Sequence, residues 1–157
     1  MSIKLDTKLL ADFTALSTAV DWEYTLSNYV ETRGSFELAV AFVNLFWPEF
    51  VERRGCIIRA VGFNEKNFEE WWATANGDRA IIERALNHLH VADIVPSDRA
   101  EVEDDVLRYL GQQISEMWRS RVAQLFPDRT FDVWFEDTDV NGEPSEASVF
   151  LLQKNAV

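Results

Sequence analysis

The stretch VEDDVLRYLGQQISEMWRSRVAQLFPDRTFDVWF, residues 102–135, decides the fold class. Val102, Val106, Leu110, Ile114, Met117, Val122 and Leu125 recur at helical spacing, so one face of a long amphipathic helix is apolar. Pro127 cannot continue that helix. The period then changes. Phe131, Val133 and Phe135 alternate with Asp132, Trp134 and Glu136, which is the two-residue period of a half-buried strand.

Working outward, Ser97 opens the helical pattern, which places one helix over about 98–126. Ser97 with Glu101 only loosely resembles a capping box, because the acid sits one residue late. Acids crowd the first turns, and Arg119 and Arg121 lie near the end, an order that complements the helix dipole. A straight helix of that length runs about 43 Å. A domain of this size has a radius of gyration of about 15 Å, so the helix crosses the molecule or bends near Gly111. After the strand, Asn141-Gly142 is a hairpin turn signal, and Val149 to Leu152 supply the returning strand.

Upstream the pattern is mostly helical. Leu9, Leu10, Phe13 and Leu16 form one face over about 6–17. Asp21 is the expected cap of a second helix carrying Trp22, Leu26, Tyr29 and Val30, ended at Gly34. Ser35 caps a third, Phe36 to Trp47, which is apolar nearly all round and so reads as central and buried. Pro48 starts a short helix over 49–53, ended at Gly55. The β-branched run within 56–62 reads as a short strand, expected to pair with the C-terminal hairpin. Asn64 caps a helix with Phe68, Trp71 and Trp72, stopped at Asn76-Gly77. Asp78 caps another, with Ile81, Ile82, Ala85, Leu86 and Leu89 inward. The expected fold is therefore α+β. It is a mostly helical single domain over 1–157, with about six helices and a small antiparallel sheet.

Composition bounds the function. The 157 residues hold 27 acidic and 15 basic side chains, a formal net charge of −12. They also hold six Trp, three Tyr and eleven Phe. Acidic chains that stay disordered are poor in aromatics, so this one folds. Its charge repels nucleic acid and anionic lipid and favours basic partners. A single cysteine, Cys56, suits a reducing compartment. The N-terminal residues have no apolar run, and the longest apolar stretch is too short to span a bilayer. The expectation is a cytoplasmic protein with no cofactor and no membrane partner.

No phosphate loop, nucleophile elbow, paired Cys-x-x-Cys or dinucleotide fingerprint is present. The leading expectation is a non-catalytic acidic binding protein, of the immunity, antitoxin or inhibitor kind, that engages a basic protein. Trp134 would be its aromatic anchor, ringed by Asp132, Glu136, Asp137 and Asp139. The acids Glu101, Asp104 and Asp105 at the start of the long helix would add to that face. A second expectation is a small enzyme or a ligand- or metal-binding domain, with a site at His88, His90 and Asp93 walled by Trp72. Histidines two apart share a face on a strand but lie about 200° apart on a helix, and the local pattern is helical. Cys56, with Arg53, Arg54 and Arg59 near it in sequence, is a candidate reactive thiol. A structural or assembly subunit is the third reading, and the oligomeric state is open.

Overall fold

The computed structural model describes residues 4–95, 102–138, 142 and 144–154. Among them are six α-helices and two small antiparallel sheets, an α+β architecture. The N-terminal helix expected over 6–17 is split. A single 3-10 turn, Thr7–Leu9, is capped by Asp6, Leu10 is extended, and α1 runs Ala11–Thr18. Helix α2 is Leu26–Arg33. Its cap is Thr25 rather than Asp21, because Thr25 and Asn28 satisfy each other's backbone in a capping box. Helix α3 is Phe36–Phe46, capped by Ser35 as expected.

The expected burial of α3 is overturned: none of its residues is buried. Among residues 4–47 only Phe13 is buried, against Tyr24 and Tyr29. The core lies after Pro48. An apolar helix needs cover on two sides to be central, and the other described residues leave none of α3 buried.

The expected short helix at 49–53 is a strand. Strands β1, Phe50–Arg53, and β2, Cys56–Arg59, form a two-stranded hairpin. Its turn residues Arg54 and Gly55 have φ of 50° and 80°, the two positive values that a type I′ turn demands. Gly55 is thus a hairpin glycine, and β2 pairs with β1 rather than with the C-terminal strands. Helix α4, Glu65–Thr74, and helix α5, Arg79–Asn87, are capped by Asn64 and Asp78 as expected. The inward face of α5 differs from the apolar pattern. Ile82 is buried, but Ile81 is 51% exposed, while Glu83 and Asn87 are fully enclosed.

A short strand β3, Leu89–His90, and a 3-10 turn, Val91–Asp93, follow. Helix α6, Asp104–Leu125, is 22 residues long, about 33 Å. It starts later than expected, and the Ser97 and Glu101 of the expected start lie outside the described residues. Strands β4, Phe131–Thr138, and β5, Pro144–Gln153, form the expected hairpin, with Gly142 at φ 81°. Asn141 lies outside the described residues. The second sheet has the order β3-β5-β4.

Helix α6 covers one face of this sheet. Ile114, Trp118 and Val122 pack there against Val133, Val149 and Leu151, with Ile57 and Val91 completing the core. A second cluster, Cys56, Ile58, Phe68, Ala75 and Ile82, lies between β2 and α4–α5. The two sheets share no strand pairing; α5 joins them instead. Glu83 Oε1 accepts from Ile57 N at 2.7 Å, and Oε2 accepts from Gln153 N at 2.5 Å. Asn87 accepts from Arg59 N at 2.9 Å and donates to the carbonyls of Ile57 and Leu151 at 2.8 and 3.2 Å. Burial pushes the Glu83 carboxyl above its usual range, opposed by the two backbone N–H groups it accepts.

Gly111 is where β4 comes closest to α6. A Cβ there would run into the Phe135 ring. Gly111→Ala should therefore cost about 1–3 kcal/mol by overpacking, even after the gain of about 1 kcal/mol in helix propensity. Chemical denaturation measures the change, and a stabilised variant would disprove the close approach.

Candidate functional site

The pleat of β4 divides the residues that the sequence grouped. Asp132, Trp134 and Glu136 point to one side of the sheet; Val133, Phe135 and Asp137 point to the other, toward α6. Helix α6 brings its own acids to that second side. Asp104 and Leu107 of α6 face Asp137 and Thr138 of β4 and Glu146 of β5 across a cleft of about 390 Å³. Arg108 bridges it, donating from Nε to Asp137 Oδ2 at 2.8 Å and from Nη1 to Asp105 Oδ1 at 2.6 Å. These carboxylates hold the Arg108 guanidinium charged to higher pH than usual, the hydrogen bond to Asp137 being the main cause.

Asp104 and Asp137 therefore gather at one cleft, as does Glu146, which the sequence reading did not single out, and Asp105 adjoins it through its bond to Arg108. Arg108, the one base lining the cleft among the described residues, was also missed. Its three-residue offset from Asp105 on a helix was the available signal. Glu101 and Asp139 lie outside the described residues.

Trp134 sits on the far side of the sheet and is half-buried. Its ring stacks on Phe150, its cross-strand neighbour, with centroids 5.1 Å apart and an interplanar angle of 20°. Arg84 of α5 lies over both rings, 5.5 and 4.9 Å from their centroids. Trp134 Nε1 donates to Glu136 Oε2 at 3.1 Å. Asp132 is exposed and pairs with Lys154 at 2.8 Å. The expected anchor is thus roofed by Arg84, and its side of the sheet carries its own cations.

The histidines come closer than a helix would allow. His88 caps the C-terminus of α5 with extended backbone, and His90 is already in β3, paired with Ser148. Because the helix ends at Asn87, the strand period applies, and the ring centroids are 4.8 Å apart at 71°. His88 Nδ1 donates to Ala85 O at 2.6 Å, since a carbonyl only accepts. Ser148 Oγ donates to Glu146 O at 3.0 Å, so it accepts from His90 Nδ1 at 2.8 Å. In both rings the proton belongs on Nδ1, which leaves Nε2 as the potential ligand atom.

Other members of that expected site lie apart. Asp93 ends the following 3-10 turn. Trp72 belongs to the second cluster, stacked on Phe68 and covered by Arg54 at 4.9 Å. The hollow beside His88, about 150 Å³, is lined by Phe63, Asn64, Asn67 and Leu86 among others, without His90 or Trp72. Among the described residues no three His, Cys, Asp or Glu side chains gather as a metal site.

Cys56 is fully buried, and burial, with the nearby Glu83 charge, pushes its thiol up to about 11. Arg53 and Arg54 are turned to Glu65 and Glu69 instead. The thiol is held neutral and enclosed, the opposite of a reactive one. Arg59 is buried with its guanidinium 4.5 Å over the Trp118 ring, and it donates to His88 O at 2.9 Å. Burial lowers its ordinary value to about 10. Among the described residues no helix is long and apolar enough to cross a membrane. No protein-family model, curated protein or solved structure matches the chain.

Proposed function

We propose that the chain is a non-catalytic acidic binding protein that engages a basic protein partner, as an immunity, antitoxin or inhibitor protein of a bacterial cytoplasm does. One observation supports this reading best. Asp104, Asp137 and Glu146, drawn from segments far apart in sequence, line one cleft in which Arg108 is the one Arg among the described residues, with Asp105 bonded to that Arg. An incoming Lys or Arg gains attraction from several carboxylates there, while the net charge of −12 steers it in. The Trp134 side is the weaker half of the expected surface, since Arg84 and Lys154 already occupy its carboxylates.

The test is capture of the partner from the native host by the whole chain, at low and high salt, with wild type and with Asp104→Lys/Asp105→Lys. A stoichiometric basic protein should be held by wild type and released by salt. The double variant should bind it at least about tenfold more weakly, because rim charges act mainly through steering. Equal capture by both chains would remove the cleft from the proposal.

A second reading rests on the 4.8 Å approach of His88 and His90 with both Nε2 atoms left over. A ligand- or metal-binding site there would titrate zinc with micromolar affinity, lost in His88→Ala and in His90→Ala. Under the leading reading calorimetry finds no such binding, because two imidazoles alone make a poor zinc site.

A further inference from the structure

Arg59 is the one Lys or Arg buried among the described residues. It is 9% exposed, and its Nε is enclosed with no hydrogen-bond partner among those residues. Buried charges are ordinarily paired with an opposite charge. Even the half-exposed Arg33, Arg53 and Arg108 each meet a carboxylate. The contacts of Arg59 are neutral: its guanidinium lies over the Trp118 ring, and Nη2 donates to His88 O at 2.9 Å. Burial lowers it only to about 10, so it stays a cation at neutral pH.

Arg59 and His88 line the hollow of about 150 Å³ beside α5, and Asn64 and Asn67 line it too. Asn64 caps α4, a helix of 10 residues, so the positive end of the α4 dipole opens on the same hollow. The N–H groups of Glu65 and Lys66 in that first turn have no partner within the helix. Two sources of positive potential thus converge, and among the described residues no carboxylate lines the hollow. Glu65, the acid of that turn, is paired with Arg53 instead. Val61 and Phe63 give the hollow an apolar wall, and Val61 is 47% exposed, so it is open to solvent on that side.

We infer that this hollow binds a small monocarboxylate with a short apolar chain. Its carboxylate accepts from the Arg59 guanidinium and from the N–H groups that open α4, and its chain lies against Val61 and Phe63. Arginine suits the part, because its planar fork matches a carboxylate and the Trp118 ring already holds it in place. Charge selects the class. One negative charge answers one enclosed cation, whereas a phosphate dianion brings a second into a chain already at −12. Size agrees. At ~30 Å³ per water, a hollow of about 150 Å³ has the room of an acid with a few carbons, and too little for a nucleotide. The site uses neither the acidic cleft nor His90, so it stands apart from both readings of the function.

Calorimetric titration of the whole chain with acetate, propionate, butyrate and inorganic phosphate tests it, at low ionic strength. Propionate and butyrate should bind one to one with Kd on the order of 0.1–1 mM, within reach of so few heavy atoms. Each added methylene should tighten binding about fourfold, as burial of a CH₂ does. The Arg59 Nε–H resonance in heteronuclear NMR should shift in step with that titration. Arg59→Met keeps the volume and removes the charge. It should stay folded, since apolar replacement of a buried charge is often neutral for stability, and bind at least about 100-fold more weakly. Asn67→Asp, at an exposed position, sets a carboxylate beside the hollow and should weaken binding about tenfold without lowering the melting temperature. Should Arg59→Met fail to fold, Asn67→Asp and the Nε–H shift decide. A wild type that binds none of these acids overturns the inference, as does propionate binding that Arg59→Met or Asn67→Asp leaves intact. Phosphate held more tightly than butyrate overturns the carboxylate class in favour of a phosphate site.

Discussion

Asn87→Ala should lower the unfolding free energy by about 3–5 kcal/mol, because it leaves three enclosed backbone groups without partners at about 1–3 kcal/mol each, partly relieved by relaxation. The groups are Arg59 N and Ile57 O on β2 and Leu151 O on β5. No strand takes Asn87's place, since the two sheets are not paired there. A domain of this size holds only about 5–15 kcal/mol in total, so the variant sits near the edge of folding. Asn87→Asp should do at least as much harm. It keeps the acceptor for Arg59 N but turns a carboxylate toward two carbonyl oxygens. Urea midpoints at constant m value measure both changes. A loss under 1 kcal/mol for Asn87→Ala would mean that α5 does not join the sheets.

Trp118→Ala should cost about 3–5 kcal/mol or more, the range for removing a large enclosed aromatic side chain. Trp118 is fully buried at the centre of the main cluster, and its removal opens the largest cavity available there. Two further losses push the value upward. Arg59 loses the ring on which its buried cation rests at 4.5 Å. Leu45 O loses the donor that ties the last turn of α3 to the body. Trp118→Phe separates these parts. It keeps most of the packing and a ring for Arg59 but removes the N–H, and should cost about 1–2 kcal/mol. If Phe proves as costly as Ala, the hydrogen bond rather than the volume governs the site.

The elements that could be read in the sequence are those fixed by local chemistry. Ser35, Asn64 and Asp78 cap helices because each offers an oxygen to the N–H groups of the first turn. The α6 stripe and the β4 alternation survive because each is long enough to settle its period. The errors lie where distant chain decides. Phe50–Arg53 is too short to declare a period, and only the positive φ of Arg54 and Gly55 reveals a hairpin. The face of α5 was misjudged because Glu83 and Asn87 are buried by hydrogen bonds to strands 26 to 70 residues away. No hydropathy pattern carries that information.

The candidate site was legible in part for the same reason. Acids at the start of α6 and at the end of β4 were evident, but period two divides Asp137 from Trp134, and that division fixes which acids share a cleft. The histidine pair depended on a single boundary. With α5 ending at Asn87 rather than a few residues later, His88 and His90 change from opposed to adjacent.

That Phe13 alone is buried among the described residues before Pro48 also sets how stability is distributed along the chain. The opening free energy of a segment follows the apolar surface it keeps from water, so α1 and α2 form a shallow cooperative unit of their own. The strands joined by Glu83 and Asn87 form a deep one that opens only with the whole domain. The first third of the chain can thus loosen and close again many times within one lifetime of the folded core.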